Sequence, residues 1–376
     1  MSVITMIPSQ ESGNVYNVLL YRALETVGLR YVQIPYRVRE LLRRAPAERF
    51  HYLHFHWPEV FFVIRPREPH KLFGFKGYLI FHSFLALAKL RGYRFVWTVH
   101  EVDVHDLERH TWWHAQSRRF LWRLADVVFT HSPDVRIEAE RRWGAKRHIH
   151  TIPIGSYDGA YPSEMSRDAA RARLGIPTDA FTFVFFGNVR PYKGVDLLID
   201  AFRSLQADHP EAHVVIAGKP YSPDFRAEVE ASVRDLKNVH LSLAYVPDAE
   251  IQTYLRAADC FVAPYKYIET CSAIYLALAF DLPVIIKSEG NVVDFATQEI
   301  GIFMRDADET ASAMRRMLEM PATERDRLRT NTRTAAHAYS WDVLKHRYRE
   351  AFDAFESEHG AARAVQPSHP VSDARS

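Results

Sequence analysis

The chain has 376 residues, more than one ordinary hydrophobic core holds, and this length predicts two domains. Its 48 lysine and arginine residues nearly balance 46 aspartate and glutamate residues, so the net charge of +2 argues against a dedicated nucleic-acid binder. Cys260 and Cys271 alone cannot form a disulfide framework or a zinc cage, and the amino terminus lacks the basic flank of a signal peptide, so we expect a cytoplasmic protein.

The first half of the chain, residues 1–156, alternates short apolar runs with helix-like segments, a pattern typical of a doubly wound parallel sheet. A helix is predicted over Val15–Val27. The predicted strands are Val3–Ile7, Tyr31–Ile34, Tyr52–Phe55, Arg94–Thr98 and Val127–Thr130. Because ligands of such sheets bind beyond the carboxyl ends of the strands, functional residues are expected in the loops that follow them.

The segment from Arg37 to Arg94 combines basic residues with a dense apolar run, Leu72–Phe81. The run is too interrupted to cross a bilayer, which needs about 20 mostly apolar residues. Basic residues beside exposed aromatic ones favour an anionic leaflet, so we expect peripheral contact with a membrane. A core helix with a solvated basic face is the alternative.

The segment Pro153–Pro162 is rich in Gly, Pro and Tyr and predicts a hinge beside a cleft. Residues 157–338 then repeat the alternation of strands and helices and predict a second Rossmann-like domain. Its strands are expected at Phe181–Phe186, His213–Ala217, Val239–Leu243, Cys260–Ala263 and Pro283–Ile286. Residues 339–358 predict a helix that braces the two domains, and residues 359–376 lack an apolar period and predict a disordered tail.

The most informative motif, Phe183–Gly194, ends the first strand of this second domain. An apolar run delivers Gly187 and Asn188, and then the cations Arg190 and Lys193, to one strand end, as suits a diphosphate. The motif is neither the Gly-rich dinucleotide fingerprint nor a GxxxxGK[ST] loop, so neither NAD chemistry nor ATP hydrolysis follows from it. A solvated basic turn is the alternative interpretation.

In this order and spacing, the motifs resemble those of the two-domain GT-B glycosyltransferases, and more narrowly the nucleotide-sugar-dependent family 4. The resemblance rests on Thr98–Glu101, Pro153–Gly155, Gly187–Gly194, Ala217–Lys219 and Pro264–Pro283. It implies a nucleotide-sugar donor on the carboxyl domain, an acceptor on the amino domain, closure of the cleft between them, and retention of the anomeric configuration.

The resemblance assigns a donor side without a metal. Arg190 and Lys193 would stabilise the diphosphate as it departs, since preorganised cations favour developing negative charge. Gly187 and Asn188 would lie beside them. Lys219 is expected to line the nucleotide pocket, and Val246 falls where the backbone of the family holds the nucleobase.

This chain departs from the family at its usual pair of glutamates, because Ile268 and Leu276 occupy the two positions. Glu269 is still expected to orient the donor sugar. The ribose contact would then come from Glu289 or Asn291. The small residues that follow Glu269 would offer hydroxyls and backbone N–H groups to the distal phosphate at a helix start; they are Thr270, Cys271 and Ser272.

On the acceptor side, His100 matches a recurring family histidine and is expected to donate a hydrogen bond to the sugar or to move a proton. A general base for an inverting reaction would come from the segment of Glu101, Asp103 and Asp106.

Two further loops complete the predicted acceptor side. Gly13 and Asn14 follow the first strand, and Asn14 is also a candidate helix cap. His56 and Trp57 are suited to stacking a sugar ring, with core aromatic side chains as the alternative. A metal site at His54 and His56 lacks a third ligand nearby.

The sequence therefore predicts a hexosyltransferase that uses GDP-mannose or a UDP-hexose and no metal or other cofactor. The acceptor would be a hydroxyl of a glycan or polyprenyl-linked oligosaccharide, in exopolysaccharide or cell-surface glycan synthesis at the cytoplasmic face of a membrane. An inverting transferase with a carboxylate base, a sugar-nucleotide epimerase and a sugar-binding protein without catalysis are the alternatives.

Overall fold

The computed structural model describes residues 2–7, 14–33, 48, 50–58, 70–102 and 112–361. Within these residues, two six-stranded sheets lie in two domains, and every strand pairs with its neighbours in parallel. Helices connect the strands and cover the sheets. The prediction of two doubly wound parallel sheets is confirmed.

The first sheet has the strand order β2-β1-β3-β4-β5-β6. Its strands are β1 (Ser2–Ile7), β2 (Leu29–Tyr31), β3 (His51–Phe55), β4 (Arg94–Val99), β5 (Val127–Thr130) and β6 (Ile149–Thr151). Strand β6, which has only three residues, was not predicted, and β2 begins two residues before its predicted start at Tyr31. Its helices are α1 (Val15–Thr26), α2 (His70–Leu90), α3 (Trp112–Leu124) and α4 (Pro133–Trp143).

The second sheet has the order β12-β11-β10-β7-β8-β9. Its strands are β7 (Thr182–Phe186), β8 (His213–Ala217), β9 (Val239–Ser242), β10 (Cys260–Ala263), β11 (Val284–Lys287) and β12 (Gly301–Met304), the last of which was not predicted. The helices are α5 (Arg167–Leu174), α6 (Val195–Asp208), α7 (Pro223–Ser232), α8 (Ile251–Ala257), α9 (Ala273–Ala279), α10 (Thr310–Glu319) and α11 (Ala322–Ala338).

Local sequence explains several of these boundaries. Ser132 accepts a hydrogen bond from the backbone N–H of Val135, and Pro133 occupies the first turn of α4, where a missing N–H costs nothing. Asn14 caps α1 in the same way by accepting from the N–H of Tyr16, so the cap predicted for this residue is confirmed.

The last helix, α12 (Trp341–Ala361), leaves the second domain and packs against the first. The Glu356 carboxylate accepts hydrogen bonds from Ser2 and Tyr52, at 2.7 and 3.0 Å, and Arg347 donates to the carbonyl of Thr151 at 2.9 Å. The helix continues three residues beyond the predicted end at residue 358. The rest of the predicted tail lies outside the described residues.

The hinge between the domains is anchored to the start of α12. A Cβ on Gly155 would lie 2.2 Å from the indole of Trp341, so only glycine permits this contact. The N–H of Ser156 also donates to the carbonyl of Tyr339 at 2.8 Å. The hinge therefore fixes the carboxyl ends of the two sheets around a shared cleft.

Candidate active site

A cavity of about 220 Å³ lies in the cleft between the domains. The first domain contributes Asn14, Tyr16, Trp57, His100 and Glu101, and the hinge contributes Ile154 and Tyr157. The second domain contributes Tyr192, Lys193, Tyr265, Tyr267, Ile268, Glu269, Thr270, Cys271, Ser272 and Ala273. The cavity thus joins the loops after β3 and β4 to those after β7 and β10.

Lys193 brings a positive charge to this cavity. It ends a single 3-10 turn, Pro191–Lys193, and Gly194 follows in the left-handed region with φ +67°. A Cβ on Gly194 would lie 2.0 Å from the carbonyl oxygen of Pro264, so glycine lets the β7 loop press against the end of β10. This close packing places the Lys193 ammonium 5.1 Å from the centre of the Tyr265 ring.

Tyr265 lines the same part of the cavity. Its side chain is only 4% exposed, and its buried hydroxyl has only the Cys271 thiol, a weak partner, beside it among the described residues. Burial raises its pKa well above the usual value, so the group is a neutral hydroxyl that can donate. A thiol is a weak hydrogen-bond partner, so a ligand oxygen that reached this hydroxyl would accept a stronger bond.

Aromatic side chains make up much of the wall. Tyr192 and Tyr267 stack with their ring centres 5.0 Å apart and a 17° angle between the planes. Trp57 stacks on His100 at 4.5 Å and 8°. Such faces suit a sugar ring or a nucleobase. Tyr192, Tyr265 and Tyr267 lie within the motifs Phe183–Gly194 and Pro264–Pro283, but no role was predicted for them from the sequence.

Two hydrogen bonds close the cleft from one domain to the other. The Glu269 carboxylate accepts from the backbone N–H of Val102 at 2.7 Å, and the Thr270 hydroxyl donates to the carbonyl of His100. The loop after β10 is therefore held by the loop after β4. In this closed form, the expected contact of Thr270 with a phosphate is replaced by a contact between domains.

The loop before α9 is also held by hydrogen bonds to the side chain of Asn291. The N–H of Cys271 donates to Asn291 at 2.7 Å, and the Asn291 amide donates back to the Cys271 carbonyl at 3.3 Å. The prediction that the Cys271 N–H faces a phosphate is therefore wrong for this conformation. The same bonds, together with full burial, exclude Asn291 as a ribose ligand here. Glu289 instead pairs with Lys287 at 2.9 Å.

Buried hydrogen bonds connect the ends of β3, β4 and β5 behind the cavity. They form one chain of side chains: His131, His100, His56, Tyr21, His54 and Thr98. Successive links measure 3.1, 3.1, 2.9, 3.0 and 2.8 Å. The chain begins at the carbonyl of Ile152, which lies 3.0 Å from Nδ1 of His131.

The carbonyl end fixes the direction of every bond, because a carbonyl only accepts and each neutral imidazole has one N–H. Nδ1 of His131 must donate to Ile152. Nδ1 of His100 then donates to His131, and Nδ1 of His56 donates to Nε2 of His100. Both ring nitrogens of His100 are thus used within the protein, whereas we expected one to face the substrate.

The environment keeps these imidazoles neutral. Burial lowers the pKa of His131 to about 4 and that of His54 to about 3, with His100 and His131 adding to the effect on His54. Burial likewise lowers the pKa of His56 and His100 well below the usual value. Charging any member would break the single consistent pattern of donors and acceptors.

The other predicted site residues that the structure describes are not among those that line the cavity. The Arg190 guanidinium lies 5.0 Å from the ring of Tyr221, while Asn188 and Lys219 are exposed and Val246 is half-buried. Gly187 adopts φ +125°, and a Cβ there would lie 3.6 Å from the Lys193 ammonium. His56 is buried behind His100. Gly13, Asp103 and Asp106 lie outside the described residues.

Possible metal ligands also come together outside the cleft. Within the described part of the chain, three such side chains with ligand atoms within 4.8 Å of one another occur at His148, Glu358 and His359. That group lies where α12 meets the amino end of β6. Arg147, 2.9 Å from Glu358, already compensates its charge.

Comparisons with known proteins agree with this arrangement. Residues 166–335 match the family described as glycosyl transferases group 1. The GDP-mannose:glycolipid 4-beta-D-mannosyltransferase of Xanthomonas campestris pv. campestris is 27% identical over 290 residues, which cover 74% of this chain and 73% of that protein.

Solved structures extend the likeness to both domains. Anabaena Alr3699/HepE, in complex with UDP, has a TM-score of 0.71 at 14% identity, with 94% of this chain and 100% of that chain covered. WaaG, a glycosyltransferase involved in lipopolysaccharide biosynthesis, has a TM-score of 0.63 at 16% identity, with 93% and 98% covered. The two-domain GT-B fold is therefore confirmed.

Proposed function

We propose that this chain, which matches the group 1 glycosyl transferases over residues 166–335 and has the GT-B fold, transfers mannose from GDP-mannose to a hydroxyl of a membrane-anchored glycolipid in cell-surface glycan synthesis. The Xanthomonas relative, whose name contains this donor and acceptor class, supports the proposal across both domains. A UDP-hexose is the second donor candidate, because the Anabaena structure holds UDP.

The observation that carries the proposal is the pairing of Lys193 and Tyr265 in the interdomain cavity. The Lys193 ammonium lies over the ring of Tyr265 on the donor side of the cavity, where it would contact the diphosphate of a nucleotide sugar. As the bond between the anomeric carbon of the sugar and the phosphate oxygen breaks, negative charge accumulates on the departing diphosphate. A fixed cation and donor then stabilise the transition state more than the ground state.

The opposite wall suits an acceptor sugar. The stacked faces of Trp57 and His100 belong to the first domain, and the histidine chain holds His100 in one orientation. Closure through Glu269 and Thr270 brings this wall toward the donor side. The two cysteines are buried and unpaired, which suits work at the cytoplasmic face of a membrane.

The stereochemical outcome has two candidate forms. Resemblance to family 4 implies retention. The beta linkage in the name of the Xanthomonas relative favours inversion, because the sugar of GDP-mannose is alpha-linked to phosphate. Inversion needs a base on the acceptor side, and Glu101 is the cavity-lining carboxylate of the first domain. Proton NMR of the product decides between them. An alpha-linked product means retention. A beta-linked product, together with loss of transfer in Glu101→Gln, means inversion with Glu101 as the base.

The direct test incubates the full chain with GDP-mannose or UDP-glucose, with and without lipid-linked oligosaccharide, and measures release of nucleoside diphosphate. Release that depends on the acceptor, and that is greatest with GDP-mannose, supports the proposal. Conversion of the donor without acceptor would indicate an epimerase. Thermal stabilisation by GDP without turnover on any acceptor would indicate a binding protein.

A further inference from the structure

An exposed apolar patch lies on the first domain, where α2 and α3 meet. Phe75, Leu79 and Ile80 of α2 are 44%, 47% and 45% exposed, and Trp112 of α3 is 61% exposed. These four residues, called here the α2–α3 patch, account for four of the eleven large apolar side chains that are exposed in the described structure. Apolar groups clustered in this way mark an interaction surface more often than scattered ones do.

Aromatic contacts make the patch continuous across the two helices. The ring of Trp113 lies 5.2 Å from Phe75, 5.0 Å from Tyr78 and 4.7 Å from Trp112. Tryptophan and tyrosine side chains are enriched at the boundary between lipid and water, where an apolar ring meets a polar edge. The composition of the patch therefore matches a bilayer surface.

The charged side chains within α2 and α3 have one sign. Neither α2 nor α3 contains an aspartate or glutamate. Lys76 is exposed beside Phe75, and Arg119 and Arg123 are exposed on α3. Because Trp112, Arg119 and Arg123 are spaced by seven and four residues, they share one stripe of the helix. Apolar residues beside basic ones on the same helices favour an anionic leaflet.

The patch also lies at the edge of the domain that carries the acceptor wall. β3 ends just before Trp57 and is followed by α2, and β4 ends just before His100 and is followed by α3. Tyr78 lies beside Trp113, and His82 stacks on Phe120 at 4.4 Å, so the two helices run in the same direction. Their amino-terminal halves, which hold the patch, therefore lie near the carboxyl edge of the sheet.

Among the described residues, no helix has the length and apolar character needed to cross a bilayer. We infer that the α2–α3 patch docks the first domain on an anionic bilayer and thereby presents a lipid-linked acceptor to the cleft. This inference rests on the proposed glycolipid acceptor. It assigns the expected membrane contact to four particular side chains.

The test is sedimentation of the full chain with phosphatidylcholine vesicles that contain or lack phosphatidylglycerol. The wild type should bind only the anionic vesicles. Leu79→Ser with Ile80→Ser should bind at least about tenfold more weakly, since two half-exposed aliphatic side chains no longer enter the leaflet. Trp112→Ser, on the other helix, is a second variant and should weaken binding as well.

Leu90→Ser provides a matched control, because Leu90 is 85% exposed but lies at the opposite end of α2. This variant should bind as the wild type does. Equal loss in Leu90→Ser, undiminished binding in both patch variants, or equal binding to neutral vesicles would overturn the inference. A wild-type dimer in sedimentation analysis that dissociates in the patch variants would also overturn it, since the patch would then be a self-association surface.

Activity separates this inference from the proposed function. The patch variants should keep wild-type transfer to a water-soluble acceptor and lose transfer to the same glycan on lipid in anionic vesicles. Parallel loss on both acceptors would contradict docking as the role of the patch. A wild type that binds anionic vesicles through the patch but transfers to no acceptor would refute the proposed function and leave docking supported.

Discussion

Replacing His131 should reduce the sensitivity of the first domain to acid. In the folded protein, burial lowers the pKa of His131 from 6.5 to about 4. As the pH falls below 6.5, the unfolded chain binds a proton at this residue while the folded protein does not. The contribution of a neutral His131 to the free energy of unfolding is therefore fully present above pH 6.5 and is lost progressively as the pH approaches 4.

The two pKa values set the size of the effect. Each pKa unit corresponds to about 1.4 kcal/mol, so a shift from 6.5 to about 4 represents roughly 3 kcal/mol in total. Between pH 7 and pH 5, about 2 kcal/mol of the free energy of unfolding should be lost through this one residue. His131→Asn does not titrate, so it should be less stable at pH 7 yet lose about 2 kcal/mol less than the wild type on acidification.

Urea unfolding followed by tryptophan fluorescence provides the assay. Six of the seven tryptophans lie within residues 1–156, so the signal reports mainly on the first domain. His337→Asn, an exposed substitution on α11, should leave the wild-type difference between pH 7 and pH 5 unchanged. If His131→Asn shows the same difference as the wild type, the assignment of a buried neutral imidazole at this position is refuted.

Three further predictions concern the cleft. Lys193→Ala should lower kcat by about 10²–10³-fold in a donor-saturated assay, because it removes a cation that lines the cavity. Arg190→Ala should lower kcat by less than about tenfold, because the Arg190 guanidinium lies over the ring of Tyr221 and does not line the cavity. Equal losses of kcat in the two variants would contradict this distinction. Tyr265→Phe should lower kcat by about five- to tenfold with little loss of Tm, because the weakly bonding Cys271 thiol is the described partner of its hydroxyl. A large fall in Tm would point to a structural role. Glu269→Ala with Thr270→Val should increase the radius of gyration in small-angle scattering without ligand, since both bonds across the cleft are lost; an unchanged radius would show that other contacts close it.

Much of the fold could be predicted from local sequence. Parallel strands that are buried on both faces have continuous apolar runs. The predicted strand Phe181–Phe186 therefore differs from the observed Thr182–Phe186 by one residue, and Val127–Thr130 was predicted with its observed bounds. The runs Ile149–Thr151 and Gly301–Met304 were missed because three or four residues, two of them polar in the first case, carry too little pattern. Their place in the sheets comes from pairing with β5 and β11.

Within the candidate site, the sequence identified the strand ends and the tertiary structure selected among their residues. It placed Lys193, Glu269, Trp57 and Glu101 in cleft loops, and these line the cavity. It could not separate Lys193 from Arg190, because the difference lies in which side of a single turn each residue occupies. Nor could it show that Glu269 bonds to a backbone N–H of the other domain.

The sequence by itself determined the alternation of strands and helices, the two domains and the loops that carry polar groups, because these depend on residue type and spacing along the chain. Only the tertiary structure decided that the Tyr265 ring lies beside Lys193 with its hydroxyl buried near the Cys271 thiol, and that four histidines, linked in part through Tyr21, form one directed chain. Those features depend on distances between residues that are far apart in sequence. Hydrogen bonds act over about 3 Å, and spacing along the chain does not encode that distance.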